Sequence, residues 1–399
     1  MKKKVLIFCD FYLPGFKSGG GMWTVVNLVD RFADRYEFFV VTRNYESKGD
    51  RKPYTTVLSD DWNQVGNAQV YYFSKAAFTV EKFAEIVNKI KPDTVFLNSA
   101  LSTPVVKFLT ARRKGLFDPI PVVLAPCGEM SAGALSLKPL KKKLFLLYAN
   151  TVGLYKDVIW KASFDSEKDE IRHVIGADTE VWVAPDLAPK TILPDYRPDW
   201  KVKKEKGAVR FAFLSRLTRK KNIHYFLEQL SEIRVGDIQF DLIGPFEDEG
   251  YWEQCQSIIR ELPQNVTVNA IGSFPDQKDA LRKLSESHFF VLPTLNENFG
   301  YVFIEALAAG CPLLVSDNTV WKDLEEREVG WQIPLERTDS WIEQINKCVQ
   351  MDAAQYGQMS VNARKYALNW LGDIETENAT ARVLERSLNA KKVLAANDQ

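Results

Sequence analysis

A chain of 399 residues is too long for one ordinary hydrophobic core, so two domains are expected. Apolar residues make up 46% of it and charged residues 26%, a globular composition with no low-complexity stretch. Lysine plus arginine equals aspartate plus glutamate at 52 each, and this zero net charge argues against a nucleic-acid binder, which carries a basic excess.

The chain opens on MKKKVLIFCDF, which begins like a signal peptide. Asp10 interrupts the apolar run well short of the roughly 7–15 residues that such a segment needs, so the stretch reads as a first buried strand. VLIFC (5–9), FFVVT (38–42), TVFLN (94–98) and PVVLAP (121–126) are predicted strands, with helices over 22–33 and 79–90. A second series follows: RFAFLS (210–215), FDLIG (240–244), VTVNAIG (266–272), FFVLP (289–293) and PLLVS (312–316). Near-continuous apolar strands separated by helices predict an α/β fold, with two doubly wound parallel sheets each covered on both faces. Between the two series lies VAPDLAPKTILPDYRPDWKVKKEKG (183–207), whose prolines and charges mark an interdomain linker. The expected organisation is a first domain over 1–190, a linker over 191–206 and a second domain over 207–370. A C-terminal helix over 371–399 is expected to pack back toward the first domain, then end in a polar tail. Facing domains of this kind present the carboxyl ends of their strands to a common cleft, where such sheets bind ligands.

The five cysteines, Cys9, Cys127, Cys255, Cys311 and Cys348, form no CxxC and no even framework, which points to reduced thiols. No apolar segment approaches the ~20 residues of a membrane span. A cytoplasmic protein is expected.

Three stretches carry candidate chemistry. In FYLPGFKSGGGMWTVVNLVDRF (11–32), Gly19, Gly20 and Gly21 stand between a strand and a helix. They fit a phosphate-binding turn under a helix N-terminus, or equally a flexible connection. The segment matches neither GxGxxG nor the Walker pattern. In FLSRLTRKKNIHYFLEQL (213–230), Arg216 leaves a strand end and Lys221 opens the next helix. Together they could neutralise a diphosphate, whereas RLTRKK by itself also suits a solvated loop. In TLNENFGYVFIEALAAGCP (294–312), Glu297 follows a strand and Glu305 sits about two turns into a helix that begins near Phe299 and stops at Gly310. Such carboxylates suit the vicinal hydroxyls of a sugar, and Asn298, Phe299 and Gly300 offer backbone amides beside them. A metal would need more oxygen or imidazole ligands than are in view.

The order of these motifs, ending in E-N-F-G-Y-V-F-I-E-A-L-A-A-G-C-P, resembles the family 4 retaining glycosyltransferases of the GT-B fold over nearly the whole chain, in particular those of bacterial surface polysaccharides. The resemblance implies that Glu305 holds the ribose of a nucleotide sugar and that Glu297 contacts hydroxyls of the donor sugar. It implies that Arg216 and Lys221 stabilise the departing diphosphate, that Gly20 and Gly21 approach it from the other domain, and that the loop Gly272–Ser273–Phe274 lines the base pocket. LAPCGEMSAGALSLKPLKKK (124–143) and WKASFDSEKDEIRHVIG (160–176) share the resemblance. One departure stands out: many members of that family carry a histidine at the end of the fourth strand of the first domain, where this chain reads Pro126–Cys127–Gly128–Glu129. Glu129 could replace its contact to the donor sugar or acceptor.

The implied reaction is transfer of a sugar from a nucleoside diphosphate, a uridine more than a guanosine one, to a hydroxyl of a glycan or lipid-linked glycan in polysaccharide or lipopolysaccharide synthesis. The anomeric configuration is retained, no cofactor is used, and without a D-x-D triplet no metal is called for. Lys138, Lys141, Lys142 and Lys143, beside LFLLY (144–148), suggest contact with an anionic inner membrane surface, or a core helix with a solvated basic end. The competing functions are a nucleotide-sugar epimerase or hydrolase of the same architecture, and a non-catalytic partner subunit.

Overall fold

The computed structural model describes residues 1–15, 19–46, 51–136, 139–274 and 276–397. Their contacts divide the chain into two units, Met1–Lys190 with Asp373–Gln399, and Thr191–Gly372.

The first unit has strands β1 (Lys3–Phe8), β2 (Tyr36–Arg43), β3 (Trp62–Val65) and β4 (Ala68–Phe73). Four more follow: β5 (Thr94–Asn98), β6 (Val122–Ala125), β7 (Val158–Ala162) and β8 (Val181–Val183). Between them run α1 (Gly20–Phe32), α2 (Val80–Ile90), α3 (Thr103–Arg113), α4 (Ala132–Ser136), α5 (Pro139–Thr151) and α6 (Asp165–Ile175). The eight strands form one sheet in the order β3-β4-β2-β1-β5-β6-β7-β8. All neighbours are parallel except the β3–β4 hairpin at the edge. Alternate residues of β1 feed two cores: Leu6 and Phe8 pack with Phe83 and Phe108, while Val5 and Ile7 pack with Val25 and Leu28. The Phe8 ring stacks on Phe83 at 5.1 Å, which fixes α2 against the sheet.

The second unit has β9 (Ala208–Leu214), β10 (Asp237–Ile243), β11 (Val266–Gly272), β12 (Phe289–Leu292), β13 (Leu313–Ser316) and β14 (Gly330–Ile333). Its helices are α7 (Ile223–Leu230), α8 (Glu249–Arg260), α9 (Gln277–Ser285), α10 (Tyr301–Ala308), α11 (Thr338–Gln350) and α12 (Ala353–Leu371). The sheet is wholly parallel in the order β11-β10-β9-β12-β13-β14. Strand order reverses between β9 and β12 here, and between β1 and β5 in the first unit. Loops leaving the carboxyl ends of strands at such a reversal diverge, and the crevice they leave is where these sheets take ligands.

The stretch 191–206, expected as a linker, packs into the second unit. The Lys201 ammonium donates to the Ser287 carbonyl (2.7 Å), and buried Lys204 donates to the carbonyls of Val349 (3.2 Å) and Met351 (2.7 Å). α13 (Ile374–Asn397) returns to the first unit. Ser387 shares a hydrogen bond with Thr94 (2.5 Å), Arg386 pairs with Glu180 (2.9 Å), and Val383 and Leu384 are buried.

β3, β4, β7, β8 and β14 were not among the predicted strands. In β7 the apolar run is broken by Lys161, whose ammonium is buried in an ion pair with Asp186; Thr24 also donates to that carboxylate (3.5 Å). β14 starts at Gly330, where an added Cβ would lie 2.2 Å from the Leu313 carbonyl oxygen. A buried pair is destabilised strongly when one partner is lost, because the remaining charge is left without compensation. Lys161→Met is therefore expected to cost about 3–5 kcal/mol in denaturant unfolding. Adding Asp186→Leu should recover most of that loss, and a double variant no more stable than the single one would contradict this account.

Candidate active site

The site grows from the loops after β9 and β12. Beyond β9, Ser215 N–H donates to the Ile243 carbonyl (3.0 Å) and Leu217 N–H to that of Pro245 (2.9 Å), so the chain runs beside the end of β10. The approach is closest at Gly244, with φ 131°, where a Cβ would sit 2.1 Å from the Ser215 oxygen; only glycine fits. Arg216 follows, its side chain 46% exposed and 3.5 Å from the Glu247 carboxylate. Arg219–Lys221 then forms a 3-10 turn, and Asn222 takes the left-handed conformation (φ 59°) before α7 begins. Lys221 thus precedes the helix rather than opening it.

Two bonds join this turn to the loop after β12. The Lys220 carbonyl accepts from Leu295 N–H (2.9 Å) and from the Thr294 hydroxyl (3.1 Å). Across that seam the Lys221 ammonium and the Glu297 carboxylate form an ion pair, and neither side chain is more than 15% exposed. Burial works to raise the Glu297 pKa, but Lys221, Lys220 and Arg216 outweigh it and hold the carboxyl below its usual range. Glu297 N–H donates to the Asn318 carbonyl (3.0 Å), which ties the loop to the end of β13 as well.

The following residues anchor the loop. Phe299 is buried between Tyr301, Trp321 and Trp370, with ring centroids 4.8, 5.7 and 5.0 Å away, and its carbonyl accepts from the Trp321 indole (2.8 Å). Gly300 has φ 72°, and a Cβ there would lie 2.6 Å from the Phe303 ring and 2.9 Å from Glu297 Cγ. This left-handed glycine delays the helix to Tyr301, two residues later than expected, so Glu305 is the fifth residue of α10. Gly310 ends α10 as anticipated: with φ 68°, its N–H reaches the Leu307 carbonyl, and Cys311 N–H reaches that of Ala306, both at 2.9 Å.

Glu305 lies among apolar neighbours. Burial pushes its carboxyl up to about 7, against the opposing hydrogen bond from the Gln277 side-chain amide. Gln277 opens α9, directly after the loop that carries Gly272, Ser273 and Phe274. Gly272 closes β11 with φ 81°, and its carbonyl accepts from Gly244 N–H (2.8 Å).

In the first unit, α1 begins at Gly20, behind Gly19 at φ 75°. The Asn98 side chain donates to the Gly21 carbonyl (2.8 Å) and accepts from the Cys127 thiol (3.2 Å). Both oxygens of Glu129 are engaged, one by the Ser99 hydroxyl (2.7 Å) and one by Leu101 N–H (2.8 Å). Glu129 therefore clamps the β5 and β6 loops together. Glu167 does the same between Gly128 and Ser163, accepting both N–H groups at 2.6 Å. Burial raises the pKa of both carboxyls.

Of the sequence candidates, Arg216, Lys221 and Glu297 act on one another, and Glu305 is bonded by Gln277, the first residue of α9. Gly20, Gly21 and Glu129 belong to the other unit. Lys220, Gln277 and Asn98 were not singled out in the sequence. Only the neighbouring Arg216 and Lys221 hinted at the first, and nothing local marks the other two. Among the described residues, no group of three or more histidine, cysteine, aspartate or glutamate side chains is arranged to hold a metal.

Residues 197–367, less than half of the chain, match the model of the family described as glycosyl transferases group 1. Sucrose-phosphate synthase from Thermosynechococcus elongatus superposes with a TM-score of 0.70 at 16% identity, covering 99% of this chain and 100% of its own. The fold is the GT-B fold. HepE of Anabaena, in complex with UDP and glucose, aligns at a TM-score of 0.66 and 14% identity over 96% of this chain and 100% of its own. WaaG, a glycosyltransferase involved in lipopolysaccharide biosynthesis, aligns at 0.60 and 14% over 91% and 95%. No curated protein sequence matches the chain.

Because the folded-state pKa of Glu305 lies above the ordinary 4.5, its contribution to stability is full below that pH and is lost as pH rises through about 7. Glu305→Gln, which cannot ionise, should stand about 1–3 kcal/mol above the parent at pH 8 and converge with it near pH 4.5. Urea titrations across that range check this, and parallel pH profiles for the two proteins would contradict it.

Proposed function

We propose that the protein is a family 4 retaining glycosyltransferase. It moves a sugar from a nucleoside diphosphate, uridine in preference to guanosine, to a hydroxyl of a glycan or lipid-linked glycan, in polysaccharide or lipopolysaccharide synthesis. The observation that carries the reading is the Lys221–Glu297 pair beside Arg216, at the strand-order reversal of the unit that matches the glycosyltransferase model. The complexes of HepE with UDP and with UDP-glucose favour a uridine donor.

The chemistry follows from charge. As the glycosidic bond breaks, negative charge grows on the diphosphate and positive charge on the sugar ring. Arg216 is exposed enough to meet a phosphate, and Lys221 is held in place by Glu297 before any ligand arrives. Cations fixed in advance stabilise the departing diphosphate without reorganising during the reaction. In this reading the two cations take the role that a metal ion fills in other transferases. Glu297, kept ionised by three neighbouring cations, serves as acceptor for donor-sugar hydroxyls and balances the ring's positive charge. Glu305 receives the ribose hydroxyls.

Lys221→Ala is expected to lower kcat by about 10²–10³-fold with a smaller change in donor KM. Turnover equal to the parent in a sugar-transfer assay with UDP-sugars would reject the role.

The acceptor side rests on α5. Leu140, Leu144, Leu147 and Tyr148, spaced as one helical face, are between 58% and 71% exposed. Lys141 and Lys143 flank that face, and Lys142 is tied to the Ala134 carbonyl (2.5 Å); Lys138 lies outside the described residues. At the turn after α5, Arg112 bonds the Lys156 carbonyl (2.7 Å) and the exposed Arg113 approaches Gly153. No acidic residue occurs between Glu129 and Asp157. Among the described residues no helix is long and apolar enough to cross a membrane. An apolar face rimmed by lysine and arginine suits peripheral attachment to anionic lipid, where a lipid-linked acceptor would be met. Vesicles containing anionic lipid should retain the protein at low salt, and Leu144→Glu with Leu147→Glu should release it. Equal retention of parent and variant would count against α5.

A further inference from the structure

Glu305 has a partner that the proposed role does not explain. Its carboxylate accepts from the Gln277 side-chain amide, and Gln277 is itself held by the turn that starts α9, where Asp276 caps Lys278 N–H (2.8 Å). An amide N–H occupies one carboxylate oxygen while adding no positive charge. The carboxylate is therefore oriented, and one oxygen remains for another donor.

The charged groups on the elements packed against α10 are turned elsewhere. On α9, Lys278 and Asp279 are exposed, Arg282 lies over the Trp200 ring (5.1 Å), and Lys283 pairs with Asp241 (3.2 Å) and Glu286 (2.8 Å). On α12, Arg364 lies over the Tyr196 ring (4.1 Å) and bonds the Ala308 carbonyl (2.5 Å), while Lys365 is exposed. The Tyr366 hydroxyl donates to Asp323 (3.1 Å). β13 carries no charged residue. Gln277 is the side chain that reaches Glu305 among the described residues.

We propose that Gln277 is a positioning residue for the nucleotide: it fixes the Glu305 carboxylate by one oxygen and presents the other to the vicinal hydroxyls of a ribose. This assignment rests on the reading of Glu305 given above. It also makes Gln277 a link between the ribose and the Gly272–Ser273–Phe274 loop, which leads directly into α9.

Ribose hydroxyls donate to the ionised carboxylate, so nucleotide affinity should rise as Glu305 deprotonates, near pH 7. The amide bond favours the ionised form; without it the midpoint moves up. Calorimetric titration of the full chain with UDP from pH 5.5 to 9 tests this. The terminal phosphate of UDP titrates in the same window, but equally for parent and variants, so the difference between proteins is what counts. Gln277→Met keeps the volume and removes the donor. It should weaken UDP binding about tenfold at pH 7 and raise the midpoint by about one unit, with much of the affinity regained at pH 9. Gln277→Lys should move the midpoint down instead, and it carries the test if the methionine variant fails to fold. Midpoints that coincide with the parent's would overturn the role of Gln277. If Glu305→Ala weakens UDP binding while both Gln277 variants behave as the parent, only this proposal falls. If the parent itself binds no nucleotide, the reading of Glu305 falls with it.

Discussion

The ion pair between Lys221 and Glu297 is the interaction on which the candidate site depends. It spans the reversal of strand order in the second unit, linking the turn after β9 to the loop after β12. An ammonium and a carboxylate that lose most of their hydration must be compensated by each other, and the geometry that does so leaves little choice of position. Lys220 and Arg216 add to the same field, so Glu297 stays ionised despite its burial. A site built this way is charged and shaped before a ligand arrives.

The surrounding structure keeps that pair in place by close packing rather than by further charge. Gly244 and Gly300 occupy positions where any Cβ would meet a neighbour below 3 Å, so the loops after β9 and β12 approach their neighbours as nearly as backbone allows. Phe299 is wedged into a cluster of tryptophan and tyrosine rings, and the Trp321 indole fixes its carbonyl. The first unit uses carboxylates for the same purpose. Glu129 and Glu167 bind backbone N–H groups at the ends of β5, β6 and β7, so the segment where the family resemblance leads us to expect a histidine is here a pair of loop clamps. Two lobes of one architecture thus order their strand ends by different means.

Much of this was legible in the sequence because the signals are local. The strand β5 coincides with the run TVFLN, buried along its whole length as a strand covered on both faces should be, and β11 coincides with VTVNAIG although, at the sheet edge, it is only partly buried. β7 escaped because Lys161 interrupts its run, and that lysine is tolerable only through Asp186, 25 residues away. The start of α10 was misplaced by two residues because Gly300 looks like an ordinary helix-start glycine until its left-handed conformation is seen. Glu297 and Glu305 were identifiable as a pair by their spacing, whereas Gln277 was not, because its partner lies 28 residues further on and no periodicity relates them.

By itself the sequence determined the α/β class and the two series of parallel strands, and it nominated four charged side chains as site candidates. Those properties follow from hydrophobic periodicity and from motif residues close together along the chain. Only the tertiary structure decided that Lys221 is paired with Glu297, that Lys204 and Lys161 are buried rather than solvated, and that Glu305 is held by Gln277. A charge takes its energy from what surrounds it in space, and those surroundings come from segments that the fold alone brings together.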